Sequence, residues 1–321
     1  MKVVFMGTPD FAVPSLDILI KEGYEVEAVV TQPDKPKGRG KKTTPPPVKL
    51  RALQDNIPVL QPERIKTPEF ESQIKQYSPD LIVVVAYGKI LPRNILDIPA
   101  LGCINVHASL LPRYRGAAPI NWAIINGEEV TGVTTMLMDA GMDTGDILLM
   151  DEIGIDPDMT AGELHDILAE IGARLLSQTL EKLKKGELKP VKQDDSKASY
   201  APMLDKDLGR INWEEPAIKI HNLVRGTNPW PCAFTYYKGK RMKIWTTRPV
   251  TFEERAGLIA GEGNGRIPGR IVKASPDGLY VECGEGIIRI LNLQMENSRR
   301  MDVAECWHNM DEGEILQAFE K

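Results

Sequence analysis

Cysteine and histidine are scarce in this chain, and their spacing excludes the common metal sites. Four residues of each type occur among 321; the cysteines lie at 103, 232, 283 and 306, and the histidines at 107, 165, 221 and 308. No cysteines are paired at the short spacing of a zinc ligand set or a disulfide framework. We therefore expect reduced thiols and no metal.

Long apolar runs and a strong net charge are also missing. Residues 1–6 are too short for a signal peptide, and residues 81–87 are too short to span a bilayer. The net charge is −5, so contact with a nucleic acid requires local basic patches. A cytoplasmic protein without membrane contact, monomeric by default, is the simplest interpretation.

Apolar periodicity predicts an α/β fold for the first part of the chain. Strand, helix and strand patterns follow one another from residue 2 to residue 31, which favours a Rossmann-like parallel sheet with right-handed crossovers. The uninterrupted apolar run at 81–86 is typical of a central strand buried on both faces. Further strands are predicted at 101–107, 132–138 and 147–153, and helices at 11–22, 117–126 and from 160 to about 185.

The segment 186–210 is polar and lacks sustained periodicity, so we place a domain boundary within it. The predicted domains are residues 1–203 and residues 204–321. Short β-type stretches separated by glycine-bearing turns follow the boundary, and they predict a smaller C-terminal β-barrel. These stretches lie at 233–237, 241–246, 269–274, 279–283 and 287–293.

Asn105 and His107 are the most informative residues. They lie two apart, so on a strand their side chains share one face and can hold an oxyanion together. Asp143, in a separate turn, is the candidate carboxylate that keeps the imidazole charged and oriented. Taken singly, each is as well explained by ordinary strand-end, buried-histidine or turn chemistry, so the inference depends on their convergence.

Gly7-Thr8-Pro9 follows the first predicted strand, where a dinucleotide-binding fingerprint would begin. That fingerprint requires three glycines at fixed offsets, and Pro9 occupies one of those positions. A dehydrogenase is therefore a weak alternative. A tight turn whose backbone amides cradle an anion or a substrate end is the better interpretation.

The segments 105–116 and 138–145 together resemble the signature of enzymes that transfer a formyl group from 10-formyltetrahydrofolate. Within that family, residues 7–11, 31–34 and 38–42, together with a full second domain, are similar to the branch that acts on methionyl-tRNA. The resemblance spans essentially the whole chain. It implies a catalytic first domain and a tRNA-binding, OB-like barrel in the second.

The resemblance also implies roles for individual residues. Asn105, His107 and Asp143 would be the catalytic trio. Thr135 stands where the purine-pathway relatives have a histidine, which favours the tRNA branch over glycinamide ribonucleotide as the acceptor. The folate pocket would be lined by Ser109, Leu110, Leu111 and Pro112, with the pterin held by Ile90, Leu91 and the backbone around Asp139 to Gly141.

Two basic patches have independent physical support. Residues 35–51 contain seven cations and no acid, in a segment too rich in glycine and proline for a helix through its middle. Such a charged run is more commonly a solvated surface loop. The unusual length of this segment, however, favours a functional role. The tRNA-binding candidates here are Arg39, Lys37, Lys41 and Lys42.

The second patch, residues 225–248, has six cations, no acid and five interleaved aromatic residues. This composition suits nucleic-acid binding by a small barrel, although aromatic residues at strand spacing are more often core.

The hypothesis is acyl transfer from 10-formyltetrahydrofolate to the α-amine of methionyl-initiator tRNA. The trio would stabilise the oxyanion and shuttle protons. Three rivals remain: a sugar-nucleotide formyltransferase, a hydrolase that releases formate from the same folate, and a nonenzymatic RNA-binding protein. The last would leave the trio unexplained.

Overall fold

Strands and helices are interspersed up to residue 185, and short strands dominate the remainder. The structure is a computed structural model that describes residues 1–37, 42–255, 266–317 and 319. The strands are β1 (Lys2–Gly7), β2 (Glu25–Val30), β3 (Lys35–Lys37), β4 (Lys42–Thr44), β5 (Val59–Leu60), β6 (Leu81–Val85), β7 (Cys103–His107), β8 (Arg115–Gly116), β9 (Val130–Leu137), β10 (Asp146–Gly154), β11 (Tyr200–Ala201), β12 (Ala233–Tyr237), β13 (Lys240–Pro249), β14 (Ile271–Ser275), β15 (Gly278–Glu282), β16 (Ile287–Met295) and β17 (Met301–Asp302). The helices are α1 (Val13–Lys21), α2 (Pro47–Gln54), α3 (Pro68–Gln76), α4 (Arg93–Leu96), α5 (Pro119–Ile125), α6 (Ala161–Lys185), α7 (Ala217–Gly226), α8 (Phe252–Arg255) and α9 (Val303–Cys306), with 3-10 turns at Asp10–Ala12, Asp195–Lys197, Asp207–Gly209 and Trp307–Asn309.

The larger sheet has seven strands in the order β10-β9-β7-β6-β1-β2-β5. Its first five strands in the chain, β1, β2, β5, β6 and β7, pair in parallel in the doubly wound order. The strand order reverses between β1 and β6, so the crevice where such sheets bind ligands lies at the carboxyl ends of these two strands, and β7 is the next strand beyond β6.

One strand, β9, departs from the predicted parallel sheet. β9 pairs antiparallel with both β7 and β10, which makes the sheet mixed. The short connection at residues 138–145 accounts for the β9–β10 pairing, since a turn of that length joins only antiparallel neighbours. The same turn brings Asp143 back towards the end of β7.

Two compact units make up the described chain. One contains Met1–Pro119, Val130–Gly154 and His165–Pro202, and the other contains Ile120–Glu129, Ile155–Leu164 and Met203–Lys321. The second unit therefore includes two short segments that precede the polar region. The predicted boundary between residues 203 and 204 stays a prediction.

The second unit contains an antiparallel sheet in the order β12-β13-β16-β15-β14, with β17 paired to β16. The five predicted stretches coincide with β12 to β16, and every end agrees to within three residues. α7, which the sequence interpretation did not include, packs Ile220 and Val224 into the core of this unit. Its apolar residues recur at helical spacing, and Pro216 precedes its first turn.

No helix in the described ranges combines the length and the apolar character needed to cross a bilayer. Nor do the described residues contain a cluster of three or more potential metal ligands.

Candidate active site

β7 presents Asn105 and His107 on the same face, as their spacing predicts. The strand lies between β6 and β9, with Asn105 opposite Val84 and His107 opposite Thr134. Asn105 is 8% exposed and His107 6% exposed. Two polar side chains therefore stand almost buried at the carboxyl end of a central strand, where each polar group needs a partner or a ligand.

The His107 ring has a defined neighbour at each nitrogen. Nε2 lies 3.0 Å from the carbonyl oxygen of Tyr114, and Nδ1 lies 3.7 Å from Oδ2 of Asp143. Because a carbonyl only accepts, Nε2 carries a hydrogen and donates it to Tyr114. Nδ1 is left as the nitrogen that faces the acid.

Asp143 occupies the turn between β9 and β10, in the left-handed region with φ of 55°. Its Oδ2 accepts a hydrogen bond from the backbone N–H of Gly116 at 2.8 Å. Asp139 braces the same turn, since its Oδ1 accepts from the Gly141 N–H and from the Thr144 hydroxyl. The turn therefore holds the Asp143 carboxylate half-buried beside His107.

The Asn105 amide differs from these groups. Within the described residues, its side chain makes no hydrogen bond, although neighbouring polar groups on the same strand end are paired. Its two N–H donors are therefore available to an incoming oxygen.

The Ser109 to Pro112 segment is held by hydrogen bonds from its own Ser109 side chain and from Thr134 of β9. The Ser109 hydroxyl donates to the Arg113 carbonyl at 2.6 Å, while Thr134 accepts from the Leu111 N–H and donates to the Ser109 carbonyl. Ser109 and Leu111 are buried, Leu110 and Pro112 are half-buried, and the Leu111–Pro112 peptide bond is cis. These polar groups shape the loop and are not presented outward.

A groove of about 550 Å³ lies beside the Asp143 turn. Burial raises the pKa of the Cys103 thiol in its wall to about 12, so the sulfur is a neutral surface. Asp139 lines this groove, whereas Ile90 is 56% exposed and Leu91 belongs to the buried core. The lining residues are Arg93, Leu96, Asp97, Gly102, Cys103, Leu137, Met138, Asp139, Ala140, Gly141 and Thr144.

The sequence interpretation missed two buried polar residues next to this site. Gln193 donates from Nε2 to the carbonyl oxygens of Asp143 and Gly145, at 2.8 and 2.7 Å. Its Oε1 accepts from Nε and Nη2 of Arg115. Gln193 lies in the polar segment that we interpreted as an interdomain boundary, and no local pattern distinguishes it from its neighbours.

Known proteins resemble the chain over nearly its whole length. The family model described as formyl transferase matches residues 1–180, and that described as formyl transferase, C-terminal domain, matches residues 203–310. Methionyl-tRNA formyltransferase of Acetivibrio thermocellus is 59% identical over 98% of this chain and 99% of its own length. That of Caldanaerobacter subterraneus subsp. tengcongensis is 56% identical over 99% and 100%. The chain belongs to the methionyl-tRNA formyltransferase family. It is therefore a formyltransferase.

Solved structures show the same fold at lower identity. An N-formyltransferase from Helicobacter canadensis, in complex with folinic acid and dTDP-3-aminofucose, has a TM-score of 0.66 at 20% identity, covering 92% of this chain and 100% of that one. Methionyl-tRNA formyltransferase from Clostridium thermocellum has a TM-score of 0.54 at 16% identity, covering 79% and 94%.

The basic segment of this formyltransferase forms a hairpin in its described part. β3 and β4 pair with Lys37 opposite Lys42, while Arg39 and Lys41 lie outside the described residues. This pairing places two of the four predicted tRNA-binding residues next to each other.

Two cations of the basic segment are already paired. Nζ of Lys49 lies 2.9 Å from both carboxylate oxygens of Asp34, and Arg51 pairs with Asp17 and Asp55. Hydrogen bonds from Gln61 and Lys49 lower the pKa of Asp34. Lys49 and Arg51 therefore brace the base of the segment and offer little free charge.

The second basic patch also has fewer free cations than its sequence implies. Arg225 is buried and bonds to Asn222 and to backbone carbonyls, while Lys238 pairs with Asp311 and Arg248 with Asp158.

The remaining described cations of this patch stack on aromatic rings or face solvent. Arg241 lies 3.7 Å from the Phe234 ring centroid and Lys243 lies 5.8 Å from that of Trp245, while Lys240 is exposed. Phe234 is itself core.

Proposed function

We propose that this formyltransferase moves the formyl group of 10-formyltetrahydrofolate to the α-amine of methionyl-initiator tRNA, giving N-formylmethionyl-tRNA and tetrahydrofolate. The observation that carries the mechanism is the His107–Asp143 pair, 3.7 Å apart, next to the Asn105 amide, which has no hydrogen-bond partner among the residues that the structure describes. An amide donor and a histidine on one strand, with a carboxylate from a neighbouring turn facing the histidine, suit acyl transfer to an amine.

The acceptor needs little activation before attack. An α-amine has a pKa of about 8, so a substantial fraction is neutral at cellular pH. The barrier lies in the negative oxygen that forms when the amine adds to the formyl carbon. Asn105 donates its amide hydrogen to this oxygen as the charge develops.

His107 and Asp143 move the protons. Because Tyr114 occupies Nε2, His107 acts through Nδ1, where a hydrogen can be shared with the reacting centre or with Asp143. The proton released by the attacking amine passes to this pair and then to the departing nitrogen. Donation in the second step is the reverse of acceptance in the first, so one pair serves both.

The groove beside the Asp143 turn is the proposed pterin site. Leu96, Leu137 and Met138 supply apolar walls, and the backbone of residues 139–141 offers hydrogen-bonding groups along one edge. A flat heterocycle with polar edges fits these surroundings. The bound folate supplies the formyl group, and Ser109, Leu110, Leu111, Pro112, Ile90 and Leu91 remain proposed folate contacts.

The C-terminal sheet is proposed to be an OB-like barrel within a tRNA-binding domain of residues 204–321. The support is that residues 313–317 link its two outer strands: Gln317 exchanges backbone hydrogen bonds with Tyr236 of β12, and Ile271 of β14 donates to the Glu314 carbonyl. Such a link between the two outer strands supports closure of the sheet into a barrel.

The tRNA contacts of the first domain are proposed to come from the basic hairpin, through Lys37, Arg39, Lys41 and Lys42. Such contacts would hold phosphates and present the aminoacyl end to Asn105. We further propose that residues 1–203 form the catalytic domain. The protein is proposed to act in the cytoplasm as a monomer.

A formylation assay with methionyl-initiator and methionyl-elongator tRNA side by side tests the proposal. Purified protein with 10-formyltetrahydrofolate should give formyl-methionyl ester on the initiator tRNA, with little free formate. Formate release without transfer would indicate a hydrolase, and formylation of an amino-sugar nucleotide in preference to tRNA would indicate the sugar branch. RNA binding without either product would contradict an enzyme.

A further inference from the structure

Asp143 accepts hydrogen bonds through its side chain and through its backbone carbonyl, from two different parts of the chain. Its carboxylate accepts from the Gly116 N–H at 2.8 Å, and its own carbonyl accepts from Gln193 at 2.8 Å. Aspartate adopts the left-handed region more readily than most residues, and hydrogen bonds to its side chain and backbone can fix it there. These two hydrogen bonds are the restraints.

Every hydrogen-bonding group of the Gln193 side-chain amide has a partner. Both hydrogens of Nε2 go to carbonyl oxygens of the Asp143 turn, and Oε1 accepts two hydrogen bonds from Arg115 at 3.1 and 2.8 Å. Arginine only donates and carbonyls only accept, so the amide can adopt one orientation only. Gln193 is 6% exposed and Arg115 2% exposed, so leaving any of these groups unpaired is costly.

Arg115 sits between the two residues that hold the reactive pair. Tyr114 accepts from His107 through its carbonyl, and Gly116 donates to Asp143. The Arg115 side chain reaches Gln193, which returns to the Asp143 turn, and also donates to Asp195 at 2.8 Å. The contacts thus form a closed ring that fixes the spacing between His107 and Asp143.

We infer that Gln193, oriented by Arg115, is a positioning residue that sets the Asp143 carboxylate relative to His107 for the transfer step. The inference rests on the proposed function. Gln193 does not contact the His107 ring or the Asp143 carboxylate. Its effect therefore passes through the backbone of the Asp143 turn.

Gln193→Met and Gln193→Glu test the inference. Methionine keeps the length and removes every hydrogen bond, whereas ionised glutamate keeps the contact with Arg115 and faces the two carbonyls without donors. Both should lower kcat by about 10- to 100-fold, because misplacement of a reacting group by about 1 Å has a cost of this size. KM for the tRNA should stay within about twofold, since the proposed tRNA contacts do not change. KM for the folate, whose groove shares the Asp143 turn, should rise by a smaller factor than kcat falls.

Thr179→Val is the matched control. Thr179 is a buried residue of the same unit whose hydroxyl bonds to Thr135 and Leu175, so its replacement removes buried hydrogen bonds away from the Asp143 turn. It should lower thermal stability and leave kcat unchanged. An equal fall in kcat for Thr179→Val would reduce the Gln193 effect to general destabilisation.

The Asp143→Asn background separates the inference from the proposed function. If Gln193 acts through Asp143, Gln193→Met should add little loss to that of Asp143→Asn, whereas an independent role would multiply the two losses. An Asp143→Asn protein with normal kcat would contradict the proposed mechanism instead.

A measurement made without substrate tests whether Gln193 positions the Asp143 carboxylate, independently of catalysis. Hydrogen exchange at the Gly116 amide reports its bond to the Asp143 carboxylate. Exchange should be faster in both Gln193 variants and unchanged in Thr179→Val. Unchanged exchange in both Gln193 variants would overturn the inference, whatever the kinetics of Asp143→Asn.

Discussion

His107 donates its Nε2 hydrogen to the carbonyl oxygen of Tyr114 over 3.0 Å. This bond fixes both the orientation of the ring and the nitrogen that remains for chemistry, because the other nitrogen, Nδ1, then faces Asp143 at 3.7 Å. A histidine tautomer is commonly set by a partner of this kind. We therefore expect Nδ1 to be the reactive nitrogen of the ring.

Replacement of His107 by two different amides tests which nitrogen acts. In His107→Asn the amide nitrogen stands near the position of Nδ1, whereas in His107→Gln it stands near that of Nε2. We expect both variants to lose kcat and the asparagine variant to retain roughly tenfold more, since one oriented donor contributes at least that much. Single-turnover formylation rates measure this. Greater activity in the glutamine variant would assign the chemistry to Nε2.

Asn105→Ala should lower kcat by a factor on the order of 10² to 10³, with little change in KM, because the missing donor acts on charge that exists only in the transition state. Steady-state kinetics with each substrate varied in turn will separate the effect on kcat from the effect on KM. Asn309→Ala, at an exposed position, is the matched control. A rise in KM at constant kcat would make Asn105 a binding residue only.

Arg39→Ala should weaken tRNA binding and reduce the slope of log affinity against log salt by about 0.7 to 0.9 for each phosphate that the arginine neutralises. Folate binding should be unaffected. Arg51→Ala provides the comparison, since Arg51 is already paired with Asp17 and Asp55 and should leave the salt slope as it is. Binding titrations at several salt concentrations decide between a phosphate-binding arginine and a solvated loop.

His221 should make stability depend on pH. Burial lowers the pKa of His221 from its ordinary value of 6.5, while Nε2 donates to the Pro157 carbonyl. The folded state therefore binds this proton less readily than the unfolded state, so the free energy of unfolding falls as pH decreases below about 6.5.

The slope from this one residue is at most about 1.4 kcal/mol per pH unit. Urea unfolding of His221→Gln between pH 5 and pH 8 should show a shallower acid dependence than the unmodified protein. His308→Gln, at an exposed histidine, should match the unmodified protein. Identical slopes in all three would mean that His221 does not titrate as proposed.

Periodicity in the sequence determined most of the first unit and the strands of the second. The apolar run that became β6 predicted a buried central strand, because a strand covered on both faces needs apolar residues at every position. The spacing of Asn105 and His107 fixed their common face for the same kind of reason: side chains alternate along any strand. These are local properties, and local properties can be predicted from the amino-acid sequence.

Tertiary structure alone decided which polar groups meet. Gln193 and Arg115 are 78 positions apart, and nothing in either neighbourhood specifies their contact. Lys49 and Arg225 looked like free cations until the chain path brought Asp34 to one and backbone carbonyls to the other. Such pairings depend on how distant segments cross, because hydrogen bonds and ion pairs act over a few ångströms whatever the separation along the chain.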